Sequence, residues 1–328
     1  MLLSEGMPEE NNSMTTNLRG ILAPALTAVT DDFQIHEERT LAHFRWLLEN
    51  GCDGLVVFGT TSEANSFSVI ERRRLLERAV SAGINAKKLI VGTGCCSLAD
   101  SIELTKHAVQ VGCAGALTLP PFYYKGVSDD GLFQYFVSLI EGVADERLRL
   151  YLYHIPPIAI ISFSLALVEK LISKYPGIVV GIKDSSGDWA HTKDLIERFG
   201  RFAFDVFPGN ESYLLAALEL GAAGCISGMT NVISESLQMI FKNWRHPEAR
   251  VRQELVKRLR LALLKYPPIP ALKAIISKAR DDTAWKNVRP PLWPLTESEF
   301  VGLTTELTAA GFEWPKTTAK PLDPVKFS

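Results

Sequence analysis

The sequence has no apolar run approaching the ~20 residues that a membrane-spanning helix needs. Its first stretch, Met1 to Asn17, carries acids and amides where a secretory signal needs a basic start and a continuous apolar segment. Neither a membrane protein nor an exported one is expected. No stretch concentrates Lys and Arg with aromatics between them, and 35 basic against 37 acidic residues leave a formal net charge of −2. That excludes a nucleic-acid or anionic-membrane surface of the usual kind. The six histidines show no H-x-x-x-H spacing, so no metal site is expected. The five cysteines (Cys52, Cys95, Cys96, Cys113 and Cys225) match no metal-ligand or disulfide spacing, and their odd number leaves one over in any pairing. A reducing cytoplasm fits this usage best. The adjacent Cys95 and Cys96 suit either a redox element or two small thiols packed after a strand, the second being the commoner case.

What is present is enough for a large core. With 328 residues, 47% hydrophobic and 22% charged, the chain can build one big α/β domain or two smaller ones. Short β-branched runs alternate with longer amphipathic ones. Strands are expected at Ile21–Ala28, Gly54–Gly59, Lys88–Gly92, Ala114–Leu119, Leu148–Tyr153, Gly177–Lys183, Phe202–Phe207 and Ala222–Ser227. Helices are expected near Glu37–Asn50, Val69–Ala82, Leu98–Val111, Asp129–Val143, Ser164–Lys174, Trp189–Phe199, Glu211–Leu220 and Val232–Trp244, where apolar residues recur at three-and-four spacing. Eight strand–helix units are the number that closes a (β/α)8 TIM barrel. An internal echo supports it: Gly51, Gly112 and Gly221 each stand where a helix would end in the left-handed region just before a strand. An open doubly wound sheet is the alternative, but no G-x-G-x-x-G follows the first strand.

The expected layout is an N-terminal arm over 1–18, the barrel over 19–245, and C-terminal helices with an extended tail over 246–328. The appended helices are expected at His246–Lys265, Ile269–Ala279 and Glu297–Ala310, with Pro267, Pro268 and Pro270 forming a stiff connector.

In such a barrel the chemistry is supplied by the C-terminal ends of the strands. Lys183 ends the apolar run of the sixth strand and is followed by Asp184-Ser185-Ser186-Gly187; Tyr153 ends the fifth. Adjacent strands lie ~4.8 Å apart, which puts the phenol within reach of the amine. The second strand ends in Gly59-Thr60-Thr61-Ser62-Glu63, where Gly59 would allow a sharp turn that faces the Thr60 and Thr61 amides and hydroxyls to the mouth. A desolvated lysine there could attack a carbonyl. Alone, each residue has an ordinary explanation: a snorkelling lysine, a strand-end aromatic, strand-forming threonines. Their coincidence at neighbouring strand ends points to a site.

These residues resemble the family of dihydrodipicolinate synthase and N-acetylneuraminate lyase, pyruvate-type class I aldolases on a (β/α)8 barrel. The resemblance runs from about Gly20 to Lys273. It rests on G-T-T-x-E at Gly59–Glu63, Y-x-x-P at Tyr153–Pro156, G-I-K-D at Gly181–Asp184, G-x-E at Gly209–Glu211, G-C-I-S at Gly224–Ser227 and P-x-I-P-x-x-K at Pro267–Lys273. The resemblance implies that Lys183 is the Schiff-base lysine and Tyr153 the phenol that moves protons. It implies that Thr60 links that phenol to a second tyrosine reaching in from a neighbouring subunit, at Tyr124 or the adjacent Tyr123. Thr61 with Thr60 would cradle a 2-oxo acid carboxylate, and Gly209, Ile226, His154 and Ser185 are further candidate substrate-binding positions. The implied partners are a small 2-oxo acid, an aldehyde and further copies of the chain in a homodimer or homotetramer. No cofactor is implied, because a protonated imine is itself the electron sink.

Three positions depart from the pattern. Ile158 stands where the synthases of the family carry an arginine that grips the carboxylate of aspartate semialdehyde, Ser62 replaces a glycine, and His154 stands where asparagine is common. Losing a bidentate cation disfavours the synthase reaction, and the Asp184-Ser185-Ser186-Gly187-Asp188 loop resembles those of the family's aldolases and dehydratases of hydroxylated 2-oxo acids or 2-keto-3-deoxy sugar acids. A catalytically silent binder of 2-oxo acids is the alternative from another class. A phosphosugar barrel is disfavoured, since Gly224–Asn231 has no basic residue.

Overall fold

The computed structural model describes residues 17–315. Eight parallel strands form its centre: β1 (Gly20–Pro24), β2 (Gly54–Val57), β3 (Leu89–Gly92), β4 (Gly115–Thr118), β5 (Leu150–His154), β6 (Val179–Asp184), β7 (Asp205–Pro208) and β8 (Gly224–Ile226). Strands β1 to β7 pair in sequence order and β1 pairs again with β8. The seam between β7 and β8 is bridged where the Ala223 amide donates to the Val206 carbonyl at 3.0 Å. The sheet thus curls into a nearly closed TIM barrel.

Between the strands lie α1 (Glu37–Glu49), α2 (Val69–Ser81), α3 (Leu98–Val111), α4 (Asp129–Val143), the single turn α5 (Pro156–Ala159), α6 (Leu165–Lys174), α7 (Trp189–Phe199), α8 (Leu214–Glu219) and α9 (Thr230–Lys242). Their starts are written in the sequence. Ser68, Ser97, Ser128 and Ser164 each accept a hydrogen bond from an amide of the first turn, which satisfies a donor the helix leaves open. The three echoed glycines, Gly51, Gly112 and Gly221, have φ of 97°, 83° and 99°, a region that favours glycine.

Each strand sends a side chain into the barrel: Leu22, Val56, Ile90, Leu117, Tyr151, Val180, Phe207 and Ile226 fill it. Outward residues such as Leu150, Leu152, Val179 and Ile182 pack instead under the helix layer. After α9 come α10 (Pro247–Leu263), α11 (Pro268–Arg280) and α12 (Glu297–Ala310). They share one apolar cluster with β1, β8 and α9, through Ile21, Cys225, Leu237, Val256, Ile275 and Leu303.

Some boundaries differ from those expected. The first strand stops at Pro24 rather than Ala28, because beyond Ala25 the buried chain leaves its partner and turns toward α1. The seventh begins at Asp205 rather than Phe202, since Gly200–Phe202 forms a 3-10 turn and Ala203 is left-handed at φ 55°. Pro268 and Pro270 belong to α11 instead of forming a connector; in the first turn of a helix their missing N–H groups cost little. Most of the expected arm, and the tail beyond residue 315, lie outside the described residues.

Candidate active site

On β5, Leu150 and Leu152 face the helix layer, so the intervening Tyr151 and the following Tyr153 face inward. The same parity on β6 would turn Lys183 outward, since Val179 packs with the helices. A register shift corrects it: Leu150 is paired with Val179 but Tyr151 with Gly181, so Val180 is an extra residue. Beyond this bulge Gly181 faces Tyr151 inside the barrel, Ile182 faces out and Lys183 faces in. Bulges commonly re-aim a side chain in this way.

Tyr153 and Lys183 are direct neighbours across the two strands. The Lys183 Nζ donates to the Tyr153 hydroxyl at 3.2 Å and sits 4.3 Å from the ring centre. Both residues are only 3% exposed. The Thr60 Oγ1 lies 3.2 Å from the same hydroxyl, so amine, phenol and threonine form a continuous chain. No carboxylate is within ion-pair distance of Lys183 among the described residues.

The turn after β2 is made differently from the expectation. Gly59 is not among the positive-φ glycines, and a notional Cβ there would make only an ordinary contact with Val56 at 3.8 Å. The left-handed residues are Phe58 and Glu63, at φ 58° and 60°. Ser62 is buried and its hydroxyl donates to the Ala25 carbonyl at 2.6 Å, which gives this serine a structural use. Thr60 and Thr61 are half-buried, and their amides make no backbone hydrogen bond among the described residues.

Other candidates separate into near and far. Ile226 is wholly buried in the barrel lining. Gly209 lies under Ser185, where a Cβ would meet the Ser185 hydroxyl oxygen at 2.0 Å, and its amide donates to the Asp184 carbonyl at 2.6 Å. Tyr123 and Tyr124 are 73% and 74% exposed and stack edge-on 5.3 Å apart, away from Tyr153 within the chain. Ile158 and Ile160 are exposed as well, and Lys125 ties their turn to the tyrosine loop by donating to the Phe122 and Ala159 carbonyls.

His154 is not brought to the amine. As the residue after Tyr153 it faces the helix layer, where its Nδ1 accepts from the Phe163 amide at 3.0 Å and its ring stacks 4.4 Å from His191. Its partner is Asp184, the residue after Lys183. That buried carboxylate accepts from the Thr192 hydroxyl at 2.6 Å, the Ser186 amide at 3.0 Å and His191 Nδ1 at 3.3 Å. Burial, against the weaker pull of Asp184, pushes His154 down to about 4. Burial works against the Asp184 carboxylate, yet the hydrogen bonds from His191 and Thr192 hold it below the ordinary range. The bond to Asp184 raises His191 above its ordinary value. The donor atoms of His154, Asp184 and His191 lie within 4.8 Å of one another, a spacing compatible with a cation, but hydrogen bonds already use them. Neither Thr192 nor His191 was singled out by the sequence; the available signal was the polar His191-Thr192 pair in the first turn of the helix that follows the strand end at Asp184.

Cys95 and Cys96 are unpaired; Cys95 accepts from Arg72, and burial pushes its thiol up.

The dihydrodipicolinate synthetase family profile matches residues 17–310. The chain belongs to that family. It is 32% identical over 289 residues to a DapA-like lyase of Chloroflexus aurantiacus, covering 87% of this chain and 94% of the relative. It is 32% identical to the 4-hydroxy-tetrahydrodipicolinate synthase of Bacillus subtilis, covering 80% and 89%. Among solved structures it resembles dihydrodipicolinate synthase from Agrobacterium tumefaciens with a TM-score of 0.83 and 31% identity over 89% of this chain and 99% of that one. YagE of E. coli K12, a family member solved with pyruvate, gives 0.81 at 26% identity over 90% and 99%. As a dihydrodipicolinate synthetase family protein the chain is a lyase of the class I aldolase type.

Proposed function

We propose that the protein forms a Schiff base between Lys183 and pyruvate or a related 2-oxo acid, and makes or breaks a bond at the carbon next to the imine. The observation that carries this reading is the 3.2 Å contact of the buried Lys183 amine with the Tyr153 phenol, itself 3.2 Å from Thr60. The amine adds to the C2 carbonyl; the phenol supplies a proton to the carbinolamine oxygen, which leaves as water, and a C=N bond forms. The iminium acidifies C3. Tyr153 is placed to take that proton, since a phenol both gives and accepts one. The unpaired Thr60 and Thr61 amides suit the substrate carboxylate.

The second substrate is an aldehyde or, in reverse, a hydroxylated 2-oxo acid or 2-keto-3-deoxy sugar acid. Ile158 supports this over the synthase reaction of the named relatives, because it offers aspartate semialdehyde no cation. We place the protein in the cytoplasm as a homodimer or homotetramer in which Tyr124 completes a neighbour's relay. The free cysteines and the exposed Tyr123–Tyr124 pair support this. Among the described residues no helix is long and apolar enough to cross a membrane.

Incubation with pyruvate and borohydride tests the reading: a stable adduct is expected on the Lys183 peptide, and its absence with every 2-oxo acid rejects it. In the same preparation, kcat/KM for aspartate semialdehyde should fall below that for hydroxylated substrates by about 10- to 150-fold, the value of a charge-assisted contact. The reverse order restores the synthase.

A further inference from the structure

The residues that follow Tyr153 and Lys183 are as closely engaged as the pair itself, but on the opposite face of the sheet. His154 and Asp184 are the next register pair, and the Ser185 amide donates to the His154 carbonyl at 2.7 Å. Asp184 is 2% exposed and fastened to α7 by the Thr192 hydroxyl and by His191. His191 Nδ1 lies 3.3 Å from the Asp184 carboxylate, and that contact raises the ring above its ordinary value. His154 instead accepts the Phe163 amide at Nδ1 and is neutral, with Nε2 toward Asp184 at 3.9 Å. The charged groups facing His191 are Asp184, with Asp188 farther off.

We infer that Asp184, Thr192 and His191 are positioning residues that clamp the outer side of the β5 and β6 ends to α7, so that Tyr153 and Lys183 meet at proton-transfer distance on the inner side. The inference rests on Lys183 as the imine-forming residue. The geometry explains the assignment: side chains of consecutive strand residues point to opposite faces, so a force applied at residue 184 from outside sets where residue 183 lands inside. Displacing a reacting group by 1 Å costs up to about 100-fold. The clamp touches no substrate, so it acts on the rate of proton transfer and imine formation rather than on capture of the 2-oxo acid.

The test compares Thr192→Val, which removes the hydroxyl at equal volume, with Thr192→Ser, which keeps it, and adds His191→Gln. Quenched borohydride trapping of the Lys183–pyruvate imine is followed from pH 5 to 9, with KM for pyruvate and the melting temperature recorded. The Val variant should trap about 10- to 100-fold more slowly with KM within about threefold of the parent, and the Ser variant should recover to within about threefold. The parent-to-His191→Gln rate ratio should be largest below pH 6.5 and shrink as the pH rises past the elevated His191 value. Equal trapping by the Val and Ser variants, or a pH-independent ratio, means the residues are merely structural and overturns the inference. If the parent shows no label on Lys183, the functional reading fails and the positioning role falls with it.

Discussion

Two lysines of this molecule are buried almost equally, and only one is placed to react. Lys183 is 3% exposed and Lys273 wholly buried. Lys273, on α11, forms an ion pair with Glu63 and donates to the Asn287 carbonyl at 2.8 Å; burial lowers its pKa while Glu63 pulls it back up. Lys183 has a phenol for a partner and no carboxylate. Both lysines sit in motifs that resemble the family's, so neither burial nor motif membership separates them. The partner does: a carboxylate fixes an ammonium in place, whereas a hydroxyl leaves the amine's lone pair a route to a carbonyl.

Replacing the two by methionine should therefore give opposite phenotypes. Lys183→Met should abolish turnover, by roughly 10³-fold or more, with no loss of melting temperature beyond that of about 1 kcal/mol. Lys273→Met should leave the Glu63 carboxylate buried without its cation and cost about 3–5 kcal/mol in chemical denaturation. Much of that should return in Lys273→Met/Glu63→Gln. If Lys273→Met is as stable as the parent yet inactive, the comparison is wrong.

Tyr153→Phe sharpens it, because it removes the hydroxyl partner and keeps the ring. Turnover should fall about 10²–10⁴-fold with the melting curve unchanged; activity within a few-fold would take the phenol out of the mechanism.

The smallest effect concerns pH. His191 has a raised value in the fold, so its charge contributes stability that is complete below the unfolded value of 6.5 and is lost as the pH rises through the folded one. The stability gap between the parent and His191→Gln should thus be widest near pH 5 to 6 and narrow above. A gap that widens with pH would mean that the neutral ring is the stabilising form.

Much of this was legible from the chain. Lys183, Tyr153 and Thr60 stood at strand ends, and period-two alternation together with eight repeats sufficed to bring them to one mouth. The face on which Lys183 emerges was not legible, because it depends on the extra residue Val180, and a bulge leaves no mark in a run of β-branched residues. The turn at Phe58 and Glu63 was assigned to Gly59, since glycine is the usual bearer of a positive φ and tertiary contacts, such as Glu63 receiving the Arg289 amide at 2.7 Å, can impose it on other residues. His154 was placed with the substrate, although strand parity alone turns it outward. Long-range partners such as Glu63 with Lys273 or Asp184 with Thr192 are matters of packing that local spacing does not encode.

The Glu63–Lys273 pair also has a bearing on the order of events at synthesis. About 210 residues separate the two, which at ~5–20 residues per second is roughly 10–40 s of elongation. Throughout that interval every strand of the barrel can be made while the acid beneath the second strand end still waits for its cation. The corner around Glu63 therefore stays open to water until α11 leaves the ribosome, and its closure at the C-terminal end of the second strand belongs to the last stage of the protein's assembly.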